Sequence, residues 1–356
     1  MLNNILTDFG LNPSEYQVHR FGSGLINHTF KVSGSGDSYI LQQINSDVFK
    51  SPGDIADNLT LIRNYLNNLY PGYFFVGTIP SVSGDSLVIS SGKYYRLFPF
   101  VKGSKTINFI SDLKEAFESA RQFGKFTYLL KDFDPDTLKY TLTDFHNLQL
   151  RFDQFKSAIQ NAKPERTYTA ATEIKEVYNH KNILLTYNHI VSEKEIPVRV
   201  IHHDTKISNV LFDDEQNGLC VIDLDTVMPG YFLSDVGDMM RTYLSPANEE
   251  ETDLAKVYVR QDVFGAICKG YLSEMGNILT EKEKQYFVFS GELMIYMQAI
   301  RFLTDYLNND IYYKPTYEGH NLNRAKNQFK LLNEYVLAKR NFKQLIQAAE
   351  KEIHSF

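Results

Sequence analysis

Residues 198–230 read VRVIHHDTKISNVLFDDEQNGLCVIDLDTVMPG. The stretch opens with a short apolar strand, 198–201, which runs into His202, His203 and Asp204. Asn209 stands five positions beyond the aspartate. A second apolar strand, 210–212, turns through 213–218 into a third, 219–222, which ends at Asp223-Leu224-Asp225. A hairpin brings its entry and its exit to the same end. Asp204 and Asn209 lie at the entry and Asp223 at the exit, so all three side chains are expected in one cleft.

These residue types suit phosphoryl transfer. Mg²⁺ prefers hard oxygen ligands and takes one or two from protein when nucleotide phosphates supply others. An Asp carboxylate and an Asn carbonyl meet that need. An acceptor hydroxyl needs a carboxylate that orients it and takes its proton. An Asp followed five positions later by an Asn, with a metal-binding Asp beyond a hairpin, is the spacing of a kinase catalytic loop. On this reading Asp204 is the catalytic base, and Asn209 and Asp223 hold the metal. The competing reading is a polar turn region with one satisfied buried aspartate. His202 is expected to prop the loop; His203 either touches substrate or is simply exposed.

Working outward, the first hundred residues read mostly as strands: 18–24, 27–33 and 38–43, then a helix at 52–69, then a hairpin over 86–90 and 94–101. From 109 the pattern is helical, over 109–130, 142–160, 171–191, 236–244, 251–275, 281–308 and 322–352, interrupted by the strands of 197–226. The layout predicts an α+β, bilobed enzyme. Its β-rich N-terminal lobe spans 1–101, a hinge lies at about 96–103, and a mainly helical C-terminal lobe spans 104–356.

The segment from His202 to Arg241 resembles the aminoglycoside phosphotransferase and choline kinase superfamily, whose loop reads H-G-D-x-x-x-x-N. His203 stands where that family usually has Gly. The family's next signature, an Asp three residues before a second Asp on a helix, is matched by Asp235 and Asp238 in SDVGDMMR. The resemblance implies a protein-kinase-like fold, ATP and Mg²⁺ as cofactors, and a structural role for His202, Asp235 and Asp238. It also implies that a G-x-G-x-x-N-x-T/V segment covers the nucleotide, here Gly22, Ser23, Gly24, Asn27 and Thr29. Without the resemblance, G-S-G between strands is only a turn. The connector residues Pro99, Phe100 and Val101 are expected to hold adenine. One departure stands out: the third strand, Tyr39-Ile40-Leu41-Gln42-Gln43, lacks the Lys that kinases place against the α/β-phosphates. Lys31 and Arg96 are the candidate substitutes.

Two stretches resemble one branch of the superfamily, the N-acetylhexosamine 1-kinases: IDLDTVMPGYFLSDVGDMMRT at 222–242 and AIRFLTDYLNNDIYYK at 299–314. That likeness implies phosphorylation of the anomeric hydroxyl of N-acetylglucosamine or N-acetylgalactosamine. His203, Asp225, Arg301 and Tyr312 then become sugar contacts. Alternatively, Arg301 pairs with Asp305 along an ordinary helix face, and the tyrosines only pack a loop. Other acceptors within the superfamily (choline, homoserine or aminoglycoside) stay open, as does a nucleotide-binding pseudokinase that lacks turnover.

Composition narrows the class further. A net charge of -6 with no Lys/Arg block argues against nucleic acid as a partner. Two cysteines outside any C-x-x-C pattern argue against zinc and dithiol chemistry. No basic-flanked apolar leader and no bilayer-length apolar run is visible, so a cytoplasmic protein with small-molecule partners and no membrane association is expected.

Overall fold

The structure is a computed structural model and describes residues 2–22, 24 and 26–353. Its N-terminal part runs α1 (Leu2–Asp8), β1 (Tyr16–Arg20), β2 (His28–Gly34), β3 (Ser38–Ile44), α2 (Pro52–Leu69), β4 (Val88–Ser90) and β5 (Lys93–Pro99). The five strands form one antiparallel sheet in the order β1-β2-β3-β5-β4.

Period-two alternation gives this sheet two different faces. Val32, Leu41, Tyr95 and Leu97 point one way and bury against Ile5, Leu6 and Phe9 of and just beyond α1. The other face carries two cross-strand rows. One is Lys31, Ile40 and Phe98; the other is Thr29, Gln42 and Arg96. Helix α2 starts on Pro52, where a missing N–H costs nothing. Ile55, Leu59, Ile62 and Leu66 recur at helical spacing and join the core of the C-terminal part. The amide of buried Asn58 donates to the carbonyls of Lys139 (2.8 Å) and Val227 (3.2 Å), which ties α2 to the second lobe.

After the connector come α3 (Leu113–Leu129), α4 (Leu148–Asn161), α5 (Pro164–Thr169), α6 (Ala171–Asn179), α7 (Lys181–Ser192), β6 (Arg199–Ile201), β7 (Val210–Phe212), β8 (Gly218–Val221) and β9 (Met228–Gly230). Then follow α8 (Phe232–Tyr243), α9 (Gln261–Met275), α10 (Glu281–Gln285), α11 (Phe287–Leu307) and α12 (His320–Ile353). Strands β7 and β8 form the expected hairpin. Strand β6 pairs instead with β9, a partner that the sequence reading did not anticipate. No described helix is long and apolar enough to cross a membrane.

Some boundaries differ from expectation for local reasons. The helix expected from 142 begins at Leu148, because the Asn147 side chain accepts from Leu150 N at 3.0 Å and caps it there. The helix expected from 251 begins at Gln261. Ahead of it, Glu251 and Asp253 accept from the backbone N–H groups of Asp253 and Ala255, a local alternative to helical bonding. The segments 171–191 and 281–308 each break into two helices, at His180 and Tyr286.

Helices α3 and α9 pack backbone against backbone. A Cβ on Gly270 would lie 2.1 Å from the carbonyl oxygen of Phe117, which has no free end to swing away. Gly270→Ala is therefore expected to destabilise the protein by about 1–3 kcal/mol, read as a lower urea midpoint. An unchanged midpoint would show that the two helices separate without cost.

Candidate active site

The loop between β6 and β7 is held from α8. Asp235 accepts from His202 N (3.0 Å) and His203 N (2.7 Å), and Thr205 Oγ1 donates to Asp235 O (2.8 Å). Asp238 accepts from Thr205 N at 2.9 Å and from Arg241 Nε at 3.0 Å. Both carboxylates are buried, and Asp235 lies in the first turn of α8, where the helix dipole favours negative charge. Burial still pushes Asp235 up to about 6, against the pull of His202 and the two backbone donors.

His202 is fully buried against Phe123 and Phe126. Its Nε2 lies 2.9 Å from Ile222 O, so Nε2 carries the proton and Nδ1 accepts from Asp204 N at 3.3 Å. One imidazole thus joins the Asp204 loop to the residue before Asp223. His203 adopts φ 67° and Asp223 φ 59°, both left-handed. That conformation explains why glycine suits the position of His203. The His203 ring is buried, with Nδ1 3.0 Å from Thr226 O. Nδ1 therefore carries the proton and Nε2 is left as an acceptor. Burial holds its pKa down to about 3, so the ring is neutral.

Asp204, Asn209 and Asp223 converge as the spacing implied. The Asn209 amide donates to Asp204 O at 2.9 Å, and Asn209 O accepts from Ile222 N at 2.8 Å. Asp223 is raised above the usual carboxylate range by burial first, then by Asp225 and Asp204. A divalent cation bound there would relieve that repulsion. The described residues hold no cage of three or more His, Cys, Asp or Glu side chains. Asp223 and Asn209 instead offer the kind of sparse oxygen set that would suit magnesium beside phosphates. Lys206, which the sequence reading passed over, places Nζ 3.2 Å from Asp204 Oδ2. It supplies a cation two residues beyond Asp204.

On the nucleotide side, Phe100 N donates to Ser38 O (3.0 Å), and Lys105 and Phe212 exchange both backbone bonds at 2.9 Å. The connector is thereby fastened to β7. Phe98 and Val101 pack with Leu211 and Ile222 in an apolar cluster between the lobes. Lys31 Nζ sits 3.8 Å from the Phe100 ring centroid, at the connector end. Gly22 and Gly24 are exposed with open space around them, whereas Ser23 and Leu25 lie outside the described residues. Thr29 accepts from Gln42 Nε2 at 3.1 Å. Pro99 closes β5.

Asp225 differs from its expected place. One oxygen pairs with Arg96 Nη1 at 2.5 Å and the other accepts from Asn27 Nδ2 at 2.8 Å. Its carboxylate bridges the lobes instead of presenting a free oxygen to a sugar. Asn27 is likewise engaged at both ends, since its Oδ1 accepts from Asn45 N at 3.0 Å.

Beyond His203 lie His146 (ring centroids 5.5 Å apart) and Phe145, which stacks on His146. Arg301 stands over Phe145 at 5.7 Å and over Tyr313 at 5.6 Å. The Arg301–Asp305 helix pair does not form. Asp305 accepts from Tyr312 N (2.8 Å), Tyr313 N (2.9 Å) and Asn321 Nδ2 (2.9 Å), and so caps the loop after α11. Among the described residues Arg301 has no carboxylate partner; its Nη1 bonds Gln298 Oε1 at 3.2 Å. Tyr312 is 64 % exposed at the rim, and Tyr313 is the tyrosine that meets the arginine. Phe145 and His146 escaped sequence reading because they were assigned to a helix. The Asn147 cap was the signal that frees them.

The sequence model of the phosphotransferase enzyme family, APH, matches residues 17–262, and the chain belongs to that family. The fold is shared with an aminoglycoside phosphotransferase from Alicyclobacillus acidocaldarius subsp. acidocaldarius DSM 446 (TM-score 0.62, 13 % identity, covering 99 % of this chain and 96 % of the other). It is shared with spectinomycin phosphotransferase in complex with ADP and spectinomycin (TM-score 0.58, 14 %, 98 % and 97 %). Choline kinase LicA from Streptococcus pneumoniae is also similar (TM-score 0.54, 12 %, 94 % and 98 %).

Gly230 faces His203 closely. A Cβ there would fall 2.4 Å from His203 Nε2. In a double-mutant cycle Gly230→Ala should cost about 1–3 kcal/mol with His203 present and clearly less in a His203→Gly background. Equal costs in the two backgrounds, measured by chemical unfolding, would refute the contact.

Proposed function

We propose that this phosphotransferase moves the γ-phosphoryl group of ATP to the anomeric hydroxyl of an N-acetylhexosamine, giving a sugar 1-phosphate and ADP. The hydroxyl oxygen forms the new bond to the γ-phosphorus, and the bond to the β–γ bridging oxygen breaks. Asp204 orients that hydroxyl and takes its proton. Asn209 and Asp223 are the residues that would hold Mg²⁺, which when bound neutralises phosphate charge. Lys206 holds positive charge at the same end of the cleft. Gly22, Ser23, Gly24 and Thr29 cover the nucleotide, and Pro99, Phe100 and Val101 border its base.

The observation that carries the acceptor reading is the charge of the pocket beside Asp204. Arg301 has no carboxylate partner among the described residues, and Arg151 lies close enough for the two guanidinium charges to oppose each other. Cationic groups of this kind disfavour choline or an aminoglycoside but leave donors and an aromatic face for a neutral sugar. His146 Nδ1 and Arg151 Nε are buried without partners among the described residues, as polar atoms awaiting a polar ligand are. Arg301 and Tyr312 are the sugar contacts on this reading; His203, whose buried Nε2 faces Gly230, reaches the sugar only if that packing opens. Because Asp225 is already bridged, it serves the sugar only if that bridge opens.

ADP release measured with ATP, Mg²⁺ and a panel of acceptors tests the proposal. Turnover is expected with N-acetylglucosamine or N-acetylgalactosamine. Turnover confined to choline, homoserine or an aminoglycoside would replace the acceptor; nucleotide binding without any turnover would favour a pseudokinase. Asp204→Asn should lower kcat by at least about 10²-fold, with nucleotide affinity held. A variant as active as wild type would remove Asp204 from the role of base.

A further inference from the structure

The cation missing from β3 has a structural counterpart one strand away. Gln42 lies on the inner face of the sheet, where the kinase Lys is expected, and its register partner on β5 is Arg96. The two side chains meet: Arg96 Nε and Nη2 donate to Gln42 Oε1 at 3.1 and 2.8 Å. Gln42 in turn donates to Thr29 Oγ1 at 3.1 Å. The row Thr29–Gln42–Arg96 therefore crosses three strands and ends at Asp225, two residues beyond Asp223.

Of the two basic residues on this face, Lys31 belongs to the other row and lies over Phe100 at the connector. Arg96 lies at the Asp223 end, ion-paired with Asp225 two residues beyond it. The guanidinium is 2 % exposed. Such a charge is retained only with partners. Here they are an amide that orients it and a carboxylate beside the metal-holding aspartate.

We propose that Arg96 is the nucleotide-phosphate cation of this enzyme, moved from β3 to β5, with Gln42 as its cradle and Asp225 as its counter-charge in the nucleotide-free state. A planar guanidinium offers phosphate two parallel donors where lysine offers a point charge. The exchange keeps positive charge in the same row of the sheet. This inference rests on the kinase reading of the cleft.

Calorimetric titration tests it without turnover. ADP and adenosine are titrated in EDTA, so that no effect passes through a metal, into wild type, Arg96→Gln, the Arg96→Gln/Asp225→Asn pair and the Arg96→Gln/Gln42→Lys pair. The Asp225→Asn change removes the buried carboxylate that Arg96→Gln alone would leave unpaired. Circular dichroism checks that each variant folds. The expected result is a loss of ADP affinity of at least about tenfold in both variants without a cation, adenosine affinity unchanged, and recovery with Gln42→Lys. Wild-type ADP affinity in the Arg96→Gln/Asp225→Asn pair would overturn the proposal and reduce Arg96 to a structural ion pair. Equal losses for ADP and adenosine would overturn it too. Wild type that binds neither ligand would instead sink the kinase reading on which it stands.

Discussion

The carboxylate of Asp235 is the interaction on which the site depends. Two consecutive backbone N–H groups, at His202 and His203, end on its two oxygens. Immediately after these two donors the chain turns at the left-handed His203. Without the carboxylate, two buried donors would lose their partner, each at about 1–3 kcal/mol. The bend aims Asp204 into the cleft, and the Asp204 carbonyl then fixes Asn209. Through His202, the same loop sets the end of β8 from which Asp223 projects. One buried charge thus orders Asp204, Asn209 and Asp223, which lie on different segments.

This order costs the protein locally. His203 and Asp223 both occupy a conformation that glycine tolerates and L-residues resist. At His203 the ring is accommodated because Gly230 of β9 has no side chain and because Thr226 O accepts its Nδ1–H. The pairing of β6 with β9 brings that glycine into place, so a strand outside the hairpin belongs to the site. Strain at one residue is balanced by the absence of an atom at another.

Much of this was legible in the sequence, and the limits have physical causes. Asp204, Asn209 and Asp223 were visible because phosphoryl transfer fixes residue types and a short hairpin fixes their spacing. The sheet was visible through alternation and turn residues. Arg96 was visible only as a stray cation: β3–β5 register, which places it against Gln42, is a long-range property. Phe145 and His146 were hidden by a helical pattern that the Asn147 cap cuts short. Asp305 looked like the partner of Arg301 at i,i+4. Two backbone N–H groups and an amide outcompete that guanidinium, because unsatisfied buried donors cost more than an i,i+4 pair returns.

The distribution of charge follows from the pleat. On the inner face only alternate positions of each strand are available: Ile40 and Gln42 on β3, Arg96 and Phe98 on β5. Ile40 and Phe98 share a row with Lys31 toward the connector, where the surroundings are apolar. A cation that faces Asp223 must therefore occupy the row of Gln42 and Arg96, on one strand or the other. Placing it on β5 brings it within reach of Asp225, which Asn27 also holds. The segment before β2, the sheet and the loop after β8 then share one buried carboxylate. Separating the lobes means exposing that ion pair or leaving one charge buried alone, and the second alternative is the costly one.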